Sequence, residues 1–157
     1  APGQVYDIAP VISEGLSAIA IERNLRPFLE LVYPELRRAG LSAAPACLVR
    51  QGRVAVADEV GSLLGARIAV ILIGERPGLS SPDSMGIYLT FNPHPGITDE
   101  RRNCISNVRP EGMPCGAAVS KLMYLIRGSL RLGLSGVALK DEQEPDDALL
   151  EEGRGGI

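Results

Sequence analysis

Tryptophan is absent from this chain, and four tyrosines and two phenylalanines make up its whole aromatic complement. A core built from these residues is aliphatic, and platforms for stacking nucleic-acid bases are scarce. Positive charge is not in surplus either. Sixteen Lys and Arg stand against 19 Asp and Glu, for a formal net charge of −3. That balance lacks the basic footprint of a nucleic-acid binder. There is one histidine, His94, and the three cysteines, Cys47, Cys104 and Cys115, show no C-x-x-C spacing. These counts argue against a disulfide framework and against a structural zinc site. No apolar run reaches membrane-spanning length and no signal-peptide pattern is visible, so a cytosolic protein is the simplest expectation. The phosphate-cradling G-x-G-x-x-G and Walker loops are missing, as is the G-x-S-x-G nucleophile elbow.

What is present fits one domain. The chain has 157 residues, of which 45% are hydrophobic and 22% charged, ordinary values for a globular protein with a real core. Its organising stretch is Ile68-Ala69-Val70-Ile71-Leu72-Ile73 followed by Gly74-Glu75-Arg76-Pro77-Gly78-Leu79-Ser80-Ser81-Pro82-Asp83-Ser84. The apolar run is charge-free and rich in β-branched residues, as expected of a strand buried on both faces. Glu75 and Arg76 then stand beyond a strand's carboxyl end, where open α/β sheets meet their ligands.

Taken in order, the chain alternates strands and helices. Asp7 to Ser13 reads as a first strand, interrupted by Pro10, and Ser17 as the cap of a following helix. Ile21, Leu25, Phe28, Val32 and Leu36 form one face of that helix, which Pro27 and Pro34 are expected to kink or split. Ala46 to Val49 is a second short strand, and Asp58 caps a short helix. Gly86 to Phe91 is a strand, Asn92 to Gly96 a turn, and Arg101 to Gly112 polar and irregular. A long helix runs from about Pro114 to Leu132, with Val119, Leu122, Met123, Ile126 and Leu130 as its buried stripe. Ser135 to Leu139 reads as a final strand. The fold class expected is α/β, with an open, mostly parallel sheet and helices on both faces. Residues 1–140 form the domain, and residues 141–157 an acidic, solvated, mobile tail. The abrupt start, only a few residues before the first strand, is what a fragment of something longer would show.

Few side chains point to chemistry on type alone. His94, flanked by two prolines, reads as a rigid surface residue. Ser80 and Ser81 lie in a loop without a base beside them in sequence. Cys104 reads either as a small core filler or as part of a ligand-facing loop with Ser106 and Asn107.

Four motifs in consistent order are distinctive: Val11 to Ser17 (VISEGLS), Val49 to Val54 (VRQGRV), Gly74 to Ser84 (GERPGLSSPDS) and Arg102 to Gly112 (RNCISNVRPEG). Together they resemble the small subunit, or light chain, of ethanolamine ammonia-lyase, from about Asp7 to Asp141. The resemblance implies a Rossmann-like, cobalamin-binding domain of an adenosylcobalamin-dependent radical enzyme that converts ethanolamine to acetaldehyde and ammonia. It implies a large barrel subunit as partner in a hetero-oligomer, with cobalamin at the subunit interface. By motif, the cofactor contacts fall on Val54, Glu75 and Cys104. A corrin is an apolar plate fringed by amide arms. It suits a wall such as Val54, a carboxylate acceptor such as Glu75 and a soft side chain such as Cys104. No residue of this chain is assigned to catalysis or to a metal, because the cofactor carries its own reactive chemistry and the resemblance implies a cobalt ligated by the cofactor's own base.

Two departures accompany the resemblance. Relatives carry a longer region before the first strand, so this sequence reads as an N-terminally short form. Met113-Pro114-Cys115-Gly116 also opens the last helix differently from many of them. The address implied is the cytoplasm, with the interior of a bacterial microcompartment as a variant of it. The competing readings are a stand-alone corrinoid-binding module without lyase activity and, disfavoured by the missing phosphate loop, a nucleotide-binding domain.

Overall fold

A computed structural model describes residues 5–78 and 81–139. Its frame is a five-stranded sheet in the order β2-β1-β3-β4-β5. The strands are β1 (Tyr6–Ser13), β2 (Cys47–Leu48), β3 (Ala66–Gly74), β4 (Met85–Phe91) and β5 (Arg102–Val108). The helices are α1 (Ala18–Arg38), α2 (Val56–Leu63) and α3 (Cys115–Leu132). The expected α/β class holds, and so do helices on both faces: α1 and α3 pack together on one face and α2 on the other. The sheet is mixed, so the mostly parallel expectation holds in part: β4 alone runs against the other four strands. β1 runs parallel to β2 and β3, whereas β3–β4 and β4–β5 are antiparallel. Among the described residues no helix is long and apolar enough to cross a membrane.

The charge-free run of β3 is buried on both sides because alternate residues serve different layers. Ile68, Val70 and Leu72 join the larger core with Phe28, Val32 and Leu36 of α1 and Val119, Leu122, Met123 and Ile126 of α3. Ala69, Ile71 and Ile73 face Ala57 of α2. Each fully enclosed Ile, Leu or Phe contributes roughly 1.5–3 kcal/mol of transfer free energy. Ser17 caps α1 as its type suggests, accepting from the Ala20 amide at 3.3 Å. Gly133 ends α3 with φ +70, a backbone region costly for other residues.

Several local expectations are corrected. Pro27 and Pro34 neither split nor end α1, which runs unbroken through both. The carbonyls they leave without an amide partner belong to Arg23 and Glu30, both exposed positions that water can satisfy. Pro10 lies inside β1 at a register position opposite Val70. Ile8 sends its amide to Ser42 on the β2 side, so the missing Pro10 amide, two residues on, falls on that same side. There the pairing is broken between the Ala43 bridge and Cys47, so no ladder bond is lost. Asp58 is not a cap: the N-cap is Ala55, and Asp58 sits buried inside α2. Residues 102–108, expected to be irregular, form the edge strand β5. Residues 137–139, expected to be strand, are helical and lie outside the sheet. The expected acidic tail at 141–157 lies outside the described residues.

Candidate functional site

α2 does not cover the whole of its face. It packs on β3 and β1 and leaves the β4–β5 half open. Tyr88 is half-buried there, and Cys104 and Ser106 are exposed. Tyr88 and Cys104 are direct register partners, so both side chains rise from the same face. The result is a shelf at the sheet's bare corner, beside the loop that leaves β3.

A bulge shapes the shelf. Met85 pairs with Val108 and Ile87 with Ile105, so β5 carries one more residue than β4 across this step. The surplus falls at Ser106–Asn107, opposite Gly86. Asn107 takes φ +59, a conformation asparagine tolerates better than most side chains. Its amide donates to Glu75 Oε1 at 3.0 Å. Ser84 Oγ donates to the same oxygen at 2.5 Å, and the Glu75 amide donates back to the Ser84 carbonyl at 3.0 Å. The Glu75 side chain lies flat over Gly86, where a Cβ would stand 3.1 Å from its Cγ, Cδ and Oε2. Glycine is needed here for that close approach.

Val54 belongs to the same layer. It packs half-buried against the cluster of Val11, Ile71 and Ile73, as does Tyr88. Its carbonyl accepts from the Ala57 amide at 3.2 Å, so what it adds to the wall is mainly its isopropyl group. The turn carrying it is pinned from β1: Gly52 donates to Ser13 Oγ at 2.8 Å and Gln51 to Glu14 Oε1 at 2.5 Å. Gly74 makes the corresponding close contact beneath, since a Cβ there would stand 2.1 Å from the Ser17 carbonyl oxygen and 2.3 Å from that of Glu14.

The three residues singled out from the sequence thus share one face around Tyr88. Val54 shares its apolar cluster, Cys104 is its register partner, and Glu75 is close enough for its charge to act on the phenol. Burial, first of all, and then the Cys104 hydrogen bond and the Glu75 charge push the Tyr88 phenol well above its usual range. It stays a neutral O–H group throughout the working range of pH. Cys104 Sγ also lies 3.2 Å from Ser106 Oγ. Tyr88 and Ser84 were not marked as site residues in the sequence, and Asn107 entered only as a neighbour of Cys104 in a ligand-facing loop. Tyr88 could have been found as the polar-edged residue between Ile87 and Leu89, which alternation sends to the opposite face.

A separate cleft of about 650 Å³ opens at the far end of β4, lined by Phe91, His94, Arg101 and Ala138 among others. None of Val54, Glu75 and Cys104 lines it. His94 is exposed there, with Nδ1 2.9 Å from the neighbouring Pro95 carbonyl, as suits a rigid surface residue. Among the described residues no cluster of His, Cys, Asp and Glu could hold a metal ion.

The geometry is that of a mixed α/β sheet with one half-bare face and, at its corner, a carboxylate held by two donors. The model of the ethanolamine ammonia-lyase light chain family (EutC) matches residues 2–140. The chain belongs to that family. An ethanolamine ammonia-lyase small subunit of Azotobacter vinelandii is 60% identical over 138 residues, covering 88% of this chain and 51% of its relative. Those of Pseudomonas fluorescens SBW25 and Ralstonia nicotianae are 57% and 58% identical, covering 91% and 98% of this chain and 51% and 56% of theirs. The chain therefore spans about half the length of the curated relatives it matches.

Proposed function

We propose that this chain supplies one wall of an adenosylcobalamin site in ethanolamine ammonia-lyase, which converts ethanolamine to acetaldehyde and ammonia, and that a large subunit completes the site. The observation that carries the reading is the Glu75 carboxylate, held by Ser84 and by the bulged Asn107 amide on the same face as Val54 and Cys104. The donor set suits such a ligand. An amide-fringed plate needs a broad apolar surface with a few fixed acceptors. Tyr88 and Val54 provide the surface, Glu75 an ionised acceptor for amide N–H groups, and the phenol and hydroxyls of Tyr88, Ser84 and Ser106 further polar edges.

The cofactor, when bound, supplies radical chemistry from its cobalt–carbon bond. The chain's own residues have a different task. They hold the ligand's rim, fix its orientation and exclude water from that side. None of the shelf residues needs to act as acid, base or nucleophile, in line with a Tyr88 phenol that stays protonated. The setting proposed is the cytoplasm or a bacterial microcompartment within it.

The test is a titration of the chain, alone and co-expressed with a large subunit, with adenosylcobalamin and with a nucleotide. Cobalamin binding by the co-expressed complex, with release of acetaldehyde from ethanolamine, is expected. Cobalamin binding without lyase activity in the complex would favour the stand-alone corrinoid module. Binding of the nucleotide and not of cobalamin would overturn both.

A further inference from the structure

The loop between β3 and β4 is joined to the end of β5 and the turn after it on both sides of the sheet corner, with Ser81 Oγ also 3.5 Å from Asn107 Oδ1. On the α2 side the join is Glu75, which bonds Ser84 and Asn107. On the α1 side it is Asp83, one residue from Ser84. Its carboxylate accepts from Arg109 Nε at 2.8 Å and from Arg23 Nη1 at 3.2 Å. Arg109 lies two residues beyond Asn107. Asp83 and Arg109 side chains are 6% and 12% exposed, while Arg23 is largely in solvent. The Asp83 carbonyl is held as well, accepting from the buried Asn24 Nδ2 at 2.7 Å. The turn carrying Arg109 is itself closed, with the Met113 amide on the Asn107 carbonyl at 2.8 Å and the Arg109 amide on the Met113 carbonyl at 3.1 Å.

From this pairing we infer that Asp83 and Arg109 are positioning residues for the Glu75 carboxylate: their ion pair fixes the spacing between Ser84 and Asn107, the two donors that aim it. The inference rests on the reading of Glu75 as a cofactor contact. Neither residue touches the shelf. Their effect is transmitted by chain connectivity over one residue on one side and two on the other, which leaves little slack. A bulged amide has no ladder partner of its own to hold it in place. Without the clamp, the approach of Asn107 to Glu75 is left to the neighbouring Met85–Val108 pair and the long Ser81 contact, a looser hold.

A double-mutant cycle tests this, with Asp83→Asn, Glu75→Gln and the double variant made in the assembled enzyme. Asp83→Asn alone is expected to weaken adenosylcobalamin binding by roughly fivefold or more, and to lose most of that effect once Glu75 is Gln. Equal losses in both backgrounds would mean a general structural role and would overturn the inference. A second readout needs no cofactor: the amide proton resonance of Asn107 in the 157-residue chain. Glu75→Gln removes the ionic acceptor and is expected to move it upfield. Asp83→Asn is expected to move it the same way, and an unmoved resonance would overturn the inference. If the resonance moves but no variant alters cobalamin affinity, the clamp stands and the cofactor reading falls. Should Asp83→Asn fail to fold, Arg109→Lys keeps a positive charge beside Asp83 while losing the Nε donor, and is read by the same criteria.

Discussion

Arg102, the first residue of β5, donates from Nη2 to Asp58 Oδ2 in α2, and the two side chains are 5% and 2% exposed. Arg102 also meets the exposed Asp99 at 2.6 Å and the Ile97 carbonyl at 3.1 Å. Among the described residues, Asp58 Oδ1 and Arg102 Nε find no hydrogen-bond partner. A buried pair with idle atoms adds little net stability over a well-packed apolar pair. Its value lies in geometry. It ties α2, whose first residue follows Val54 by two, to the strand that carries Cys104.

Asp58→Asn leaves the Arg102 charge enclosed, with the exposed Asp99 as its remaining carboxylate among the described residues. The expected loss of unfolding free energy is about 3 kcal/mol, read from urea denaturation. Replacing both partners, Asp58→Leu with Arg102→Met, is expected to recover most of it, because no charge is then stranded. A double variant as unstable as the single one would mean that the pair stabilises in its own right.

Glu75→Ala removes an ionised acceptor with two fixed donors. In the assembled enzyme, cobalamin binding is expected to weaken by about 1.5–3 kcal/mol, measured by titration. An unchanged affinity would take Glu75 out of the site.

Two glycines separate packing from function. At Gly86 the three nearest atoms to an added methyl all belong to the Glu75 side chain, at 3.1 Å, and a side chain can yield where backbone cannot. Gly86→Ala is expected to change stability by less than about 1 kcal/mol while displacing the carboxylate and lowering cofactor affinity. At Gly74 the obstacles are backbone oxygens of Ser17 and Glu14, so Gly74→Ala is expected to cost about 3 kcal/mol in thermal or urea unfolding.

The acid limb of stability should carry the mark of Asp83. The Arg109 hydrogen bond, most of all, holds its carboxyl below the usual 3.8. A lowered folded pKa means that the stabilisation is complete above 3.8 and is lost as pH falls through the lower, folded value. Asp83→Asn is expected to flatten the fall in melting temperature below pH 3.8 relative to the parent, followed by circular dichroism.

The elements easiest to read in the sequence were those whose neighbours all make the same demand. Ile68 to Ile73 is apolar on both sides because it is covered on both sides, and the α3 stripe repeats because one core faces it. β5 was hidden for two physical reasons. One face of this edge strand is open at Cys104 and Ser106, and Arg102 and Asn103 spend their polar groups on Asp58 and the Gly136 backbone, so the whole polar run looks like loop. The bulge then spaces its buried residues, Ile105 and Val108, by three instead of two. The antiparallel turn-back of β4 was equally hidden, since the loop's composition says nothing of direction. The corner was legible in Glu75, placed past a strand end, and Cys104 was balanced between core filler and ligand-facing loop, whereas Val54 came from family resemblance alone. Asp58 looked like a cap because its partner Arg102 is 44 residues away.

The Glu75 side chain is gripped before any guest arrives, with its carbons lying against glycine and its oxygen shared by two donors. A receptor surface so set would give up almost no freedom of its own on contact. On the function proposed above, the ordering that accompanies capture therefore falls on the guest's floppy fringe and on whatever body approaches from the opposite side.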